Sequence, residues 1–203
     1  MLFRSSDIGA GACKTGMLVS AEIVHTVAEH LKKFDVENLV VDPVMIAKGG
    51  ANLLNDSAVE TLKSELFPQA LVVTPNVPEA EILSGVKISC PDDMIQAAAQ
   101  ILKTGTKVIV IKGGHLDGDA TDLIYTKDEQ HFLRSARIMT RCIHGTGCTF
   151  SAAITAYLTR GMDIIDAIKC AKTYITQAII TAKEIGKGHA PTNHFWNAPY
   201  PLS

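Results

Sequence analysis

The chain has 203 residues, 47% of them apolar and 20% charged, and a formal net charge of −2. That length holds one domain with a sizeable core, and so small a net charge gives no general electrostatic attraction to nucleic acid or to an anionic membrane surface. Five cysteines, an odd number without a CxxC pair, suit reduced thiols in a cytoplasmic protein better than a disulfide framework or a zinc site; no apolar run is long enough to span a bilayer, and no signal peptide is expected from these residues.

Taken in chain order, Ile23, Val27, Leu31 and Phe34 share one face of a helix over about residues 19–34. Asn38 to Pro43 reads as a buried strand ending in a turn, as does Ala70 to Asn76. Pro91 followed by Asp92 and Asp93 opens a helix, with proline in the first turn and acids near the positive end of the dipole. Lys107 to Gly114 is the clearest strand of the three. After Gly114 the pattern changes, and 123–126, 130–134 and 137–140 read as short antiparallel strands joined by turns. Gly145-Thr146-Gly147-Cys148-Thr149 is loop chemistry feeding an Ala-rich helix from Phe150. Asp163 caps the last long helix, which runs towards residue 185. β-branched runs alternating with helices give an α/β fold with a largely parallel sheet. Without a repeat or linker, residues 1–203 form a single domain.

In an open α/β sheet, ligands bind beyond the carboxyl ends of the strands. Here those ends carry Asp42-Pro43-Val44, Thr74-Pro75-Asn76-Val77-Pro78-Glu79 and Lys112-Gly113-Gly114, and the later loop adds Gly145 to Cys148. Two carboxylates, a lysine and a glycine-rich helix start are the groups needed to handle phosphate with a divalent metal. A Walker A loop and a G-x-G-x-x-G dinucleotide fingerprint are both absent. Each residue also has a purely structural reading: Asp42 as a turn cap, Glu79 as a first-turn acid, Lys112 as a solvated strand end, Cys148 as a small packing residue, Met17 as core filler. Their joint placement at one rim favours a site.

The stretches KTGML (14–18), DPVMIAKGG (42–50), TPNVPEAEIL (74–83), IKGGHL (111–116), HGTGCTFSAAI (144–154) and GKGHAPTNHF (186–195) together resemble the hydroxymethylpyrimidine/phosphomethylpyrimidine kinases of thiamine biosynthesis. These belong to the ribokinase-like superfamily. The resemblance implies a ribokinase-like three-layer sandwich with a mostly parallel central sheet. It also implies ATP-dependent phosphorylation of 4-amino-5-hydroxymethyl-2-methylpyrimidine and then of its monophosphate, with Mg²⁺. On the same footing, Gly145, Thr146, Gly147 and Cys148 form an anion hole, with Cys148 where much of the superfamily has an aspartate base. Asp42 and Glu79 organise Mg²⁺. Lys112 contacts the nucleotide phosphates, Lys172 reaches the phosphate region, and Met17 and Val44 touch the pyrimidine. A helix N-terminus favours thiolate over thiol, which suits a cysteine there to accepting a proton or orienting the hydroxyl.

The sequence departs from the family at its start. Members carry a further N-terminal segment ahead of the position matching Asp7, so the N-terminal strands are expected to be missing and Met1 to Ser5 reads as a scar. A sheet edge left open and a pyrimidine pocket short of one wall lead to the expectation of a weak or inactive kinase. Ala190 replaces a family glycine, and Gly11 stands where a bulkier or acidic residue is common. The alternatives are pyridoxal kinase activity and a ligand-binding fragment that has lost turnover. Relatives are commonly dimers, so a homodimer is one expectation. His25 and His30 are expected on the surface, His144 as a structural hydrogen-bonder, Cys142 in packing, and His189 and His194 without a metal.

Overall fold

The computed structural model describes residues 9–45, 53–114, 116 and 118–198; residues 1–5 and most of the DPVMIAKGG stretch fall outside them. Six strands make one sheet in chain order: β1 (Cys13–Thr15), β2 (Leu39–Val41), β3 (Val72–Val73), β4 (Val108–Ile111), β5 (Ala120–Tyr125) and β6 (Gln130–Ser135). The first four are parallel, in a register that aligns Val40 with Val72 and Val72 with Val108. β5 and β6 are antiparallel. Among the described residues β1 is an edge strand, pairing with β2 alone.

A strand sends successive side chains to opposite faces, and both faces of this sheet are covered. Leu39, Val41, Val73, Ile109, Ile111 and Leu123 join one core, with the helices α1 (Ala21–Lys33), α2 (Asp56–Thr61), α3 (Val77–Ser84) and α4 (Pro91–Leu102). Val40, Val72, Val108, Val110 and Ile124 join the other, under α5 (Thr146–Thr159) and α6 (Ile164–Ile180). This is why the central strands read as unbroken apolar runs: neither face is left to water. The result is the three-layer α/β architecture expected from the sequence.

The helix ends obey local chemistry. Ser20 caps α1 by accepting from the Ile23 amide, and Asp163 caps α6 by accepting from that of Ile165. Asn76 and Glu79 form a reciprocal capping box on α3, satisfying two amides that would otherwise be orphaned. α6 ends at Ile180, short of the expected residue 185. The buried stripe of α1 runs through Val24 and Ala28, while Ile23 is exposed and Val27 and Leu31 sit at the core's edge; the small Ala28 lets the helix approach closely.

Three readings of the sequence are corrected. Residues 137–140 are not a strand. The Arg137 guanidinium instead donates to the carbonyls of Gly114 and Gly118, at 2.8 Å each, and to that of Leu116, which draws the chain away from the free edge of β6. The helix after the glycine loop begins at Thr146 rather than Phe150, with Gly145 as its left-handed N-cap at φ +79°. Met17 is not core filler: it is 54% exposed. Cys142 is fully buried, as expected, and all five cysteines are free thiols. Among the described residues no helix is long and apolar enough to cross a membrane.

Candidate active site

The parallel strands β2, β3 and β4 end side by side, so the residues just beyond them gather at one rim. The Lys112 amide donates to the Pro75 carbonyl at 2.9 Å, and Asn76 and Lys112 form a parallel bridge. The Asp42 amide donates to the Thr15 carbonyl at 3.1 Å. Across this rim the Lys112 ammonium reaches the Asp42 carboxylate at 3.0 Å. Asp42 is 2% exposed and also accepts from the hydroxyls of Thr74 and Ser151, at 3.3 Å each. A buried carboxylate must be paired or hydrogen-bonded, and this one is both.

The start of α5 stands against that pair. A Cβ built on Gly147 would lie 3.3 Å from the Lys112 Nζ and 4.0 Å from an Asp42 oxygen. The first helical hydrogen bond of α5 runs from the Thr149 amide to the Gly145 carbonyl. The amides of Thr146, Gly147 and Cys148 therefore precede the helical ladder and remain available to an anion. Cys148 is exposed in this first turn.

Glu79 combines its two readings. Its side chain closes the capping box by accepting from the Asn76 amide at 2.8 Å, and it accepts from the Met45 amide at 3.4 Å. Burial pushes its carboxyl up; Lys112 and the Asn76 amide hold it down, and the Asp42 charge pushes it up again. The Asp42 charge acting on Glu79 in a buried rim is a repulsion that a cation relieves. Among the described residues no three His, Cys, Asp or Glu side chains cluster closely enough to form a protein-only metal cage. One or two carboxylates completed by phosphate oxygens and water is the usual Mg²⁺ arrangement, and Asp42 with Glu79 fits it.

Lys172 does not join Lys112 and Asp42. Its ammonium bonds the Asp122 carboxylate at 2.8 Å and the Ala120 carbonyl at 3.4 Å, and the other Asp122 oxygen accepts from the Gly113 amide at 3.0 Å. In this structure Lys172 thus acts on the turn that carries Lys112. Val44 lies just past Asp42 at the rim, its amide on the Asp42 carbonyl, and Met17 lies two residues beyond the end of β1. A cavity of about 550 Å³ meets the site only at Cys148 and runs along α5 past Ala152, Ala156 and Arg160. Asp42, Glu79 and Lys112 lie on the charged rim and not along this cavity.

Sequence reasoning missed Ser151, Asp122 and His194. Ser151 lies four residues after Gly147, a spacing that places both on one helix face. Asp122 is a single acid inside the apolar run ATDLIY. His194 had no such signal; its imidazole lies 3.1 Å from the Thr149 hydroxyl.

Residues 3–193 match the family model described as phosphomethylpyrimidine kinase. The hydroxymethylpyrimidine/phosphomethylpyrimidine kinase of Bacillus subtilis is 44% identical over 193 residues, covering 94% of this chain and 71% of that protein. The thiamine biosynthesis bifunctional protein ThiED of Geobacter sulfurreducens is 47% identical over 190 residues, and the chain spans 39% of it. Among solved structures, an ADP complex of Bacillus subtilis pyridoxal kinase superposes with a TM-score of 0.88 at 40% identity, covering 94% of this chain and 73% of that one.

Proposed function

The chain belongs to the phosphomethylpyrimidine kinase family, and from that premise we propose that it transfers the terminal phosphoryl group of ATP to the hydroxymethyl oxygen of 4-amino-5-hydroxymethyl-2-methylpyrimidine, and then a second to the resulting monophosphate. The observation that carries this reading is the contact of the α5 N-terminus, through Gly147, with the Lys112–Asp42 pair. The start of α5, whose first amides lack helical partners, thus lies beside an ammonium and a carboxylate.

Phosphoryl transfer through a loose transition state asks little of a base and much of charge neutralisation and alignment. The amides of Thr146, Gly147 and Cys148 face the oxygens of the transferring group, and Lys112, held by Asp42, neutralises charge beside them. Asp42 and Glu79 would hold Mg²⁺, which would supply further charge neutralisation at the transferring group. Cys148 stands at the mouth of the anion hole, where its sulfur accepts or orients the proton of the substrate hydroxyl without forming a covalent bond. Met17 and Val44, past the ends of β1 and β2, offer apolar contact to the pyrimidine ring. Lys172 supports the nucleotide phosphates by way of Asp122 and the Gly113 amide.

The second reading is pyridoxal kinase activity, favoured by the 40% identity and TM-score of 0.88 to the Bacillus subtilis pyridoxal kinase. Both substrates present a hydroxymethyl group on a six-membered nitrogen heterocycle, so one anion hole serves either. ATP turnover with Mg²⁺ on this chain, with hydroxymethylpyrimidine, its monophosphate and pyridoxal side by side, separates the two. The proposal expects the pyrimidines to be turned over and Cys148→Ala to lower kcat about 10²-fold. Full turnover in Cys148→Ala would refute the role given to the thiol, and turnover of pyridoxal alone would favour the second reading.

A further inference from the structure

We propose that His194 is a positioning residue for the anion-binding loop, so that the C-terminal segment takes part in phosphoryl transfer; this rests on the kinase reading of that loop. Beyond α6 the chain returns to the residues that lead into the loop. The Ala190 amide donates to the Arg141 carbonyl and the His144 amide to that of Ala190, at 3.1 Å each, and His144 bridges Pro191. The Asn193 amide then donates to the Ala178 carbonyl at 2.8 Å. The Tyr174 hydroxyl donates to the His194 carbonyl at 2.6 Å. Bonds at Asn193 and at its own carbonyl thus set the backbone of residue 194.

The side chain completes a relay into the loop. The Thr149 hydroxyl donates to the Gly145 carbonyl at 2.8 Å, the same carbonyl that accepts the Thr149 amide. A hydroxyl has one proton to give, and with it on Gly145 the oxygen can only accept from His194, 3.1 Å away. The imidazole Nε2 is therefore the donor. Gly145 caps α5 without any side chain of its own, so the orientation of its peptide, and with it the next amides of the loop, depends on bonds to its carbonyl. His194 fixes the hydroxyl that makes one of them. It also lines the same cavity wall as Cys148 and Thr149.

The test compares wild type with His194→Ala, His194→Gln and Thr149→Val, by steady-state kinetics with ATP and hydroxymethylpyrimidine and by amide hydrogen exchange of the peptide 144–150. Losing one neutral hydrogen bond that aligns the loop is expected to lower kcat by roughly three- to tenfold in His194→Ala, with the KM for ATP nearly unchanged. His194→Gln, whose amide also donates, recovers most of that loss. Thr149→Val reproduces His194→Ala, and the double variant is no worse than either. Exchange quickens in residues 144–150 and stays at the wild-type rate in α4. Wild-type kcat and exchange in His194→Ala overturn the proposal, as does a uniform acceleration of exchange along the chain that His194→Gln fails to reverse. Absence of turnover in the wild type would count against the kinase reading alone, and the exchange comparison would still decide whether His194 holds the loop.

Discussion

Replacing Lys112 by Met keeps the side chain's reach and removes its charge. Asp42, 2% exposed, is then left with the Thr74 and Ser151 hydroxyls at 3.3 Å. At the observed 3.0 Å the lost attraction is about 5.5 kcal/mol for an effective dielectric constant near 20. Removing one partner of a buried pair costs about 3–5 kcal/mol, and two remaining hydroxyl donors place Lys112→Met near the lower end. At about 2–4 °C per kcal/mol for a chain of this size, thermal unfolding should fall by roughly 6–12 °C. Adding Asp42→Asn removes the stranded charge and keeps an acceptor for the hydroxyls, so most of the stability returns while ATP turnover does not. Calorimetry on the three proteins, with turnover measured alongside, checks both halves. A Lys112→Met protein that unfolds within ~2 °C of wild type would show that the pair contributes nothing to stability. A double variant with wild-type turnover would show that Lys112 has no part in the chemistry.

Gly113→Ala puts a Cβ 1.8 Å from the Thr121 carbonyl oxygen, backbone against backbone, and should lower stability by about 3 kcal/mol; an unchanged urea midpoint would refute that crowding. Lys172→Met strands Asp122, whose side chain is 8% exposed, at a cost of about 3 kcal/mol. Lys172→Met with Asp122→Asn should recover most of it, because an amide oxygen still accepts the Gly113 amide, and a double variant as unstable as the single one contradicts this. Burial lifts the Glu79 carboxyl above its ordinary 4.5, with Lys112 partly offsetting. An acid raised in the folded state contributes stability that is fully present below its unfolded pKa and is lost as pH rises through the folded value. The stability of wild type relative to Glu79→Gln should therefore decline as pH rises above the ordinary 4.5, and chemical denaturation showing a flat or rising difference refutes the assignment.

β2, β3 and β4 were legible because each is a short β-branched run covered on both faces, α1 because its apolar residues recur at helical spacing, and the starts of α4 and α6 because Pro91 and Asp163 are local signals. The placement of Asp42, Glu79 and Lys112 at one rim was legible too, since parallel strands all deliver their C-terminal turns to the same edge of the sheet, and Gly145 to Cys148 were legible as a glycine-rich helix start. β1, three residues with a lysine at its centre, has no periodicity to read. Residues 137–140 carry a strand-like pattern, yet Arg137 spends its donors on carbonyls 19 to 23 residues earlier. Ser151 meets Asp42 across 109 residues of chain, Lys172 meets Asp122 across 50, and His194 meets Thr149 across 45. Propensity, capping and periodicity act over a few residues, so the sequence by itself determined the central strands, most of the long helices, the family and the chemical groups at the strand ends. Which charges pair, which carboxylate is buried and which side chain meets the first turn of α5 depend on strand order and helix packing. Only the tertiary structure decided these, because the partners come from segments that are adjacent in space and remote in the chain.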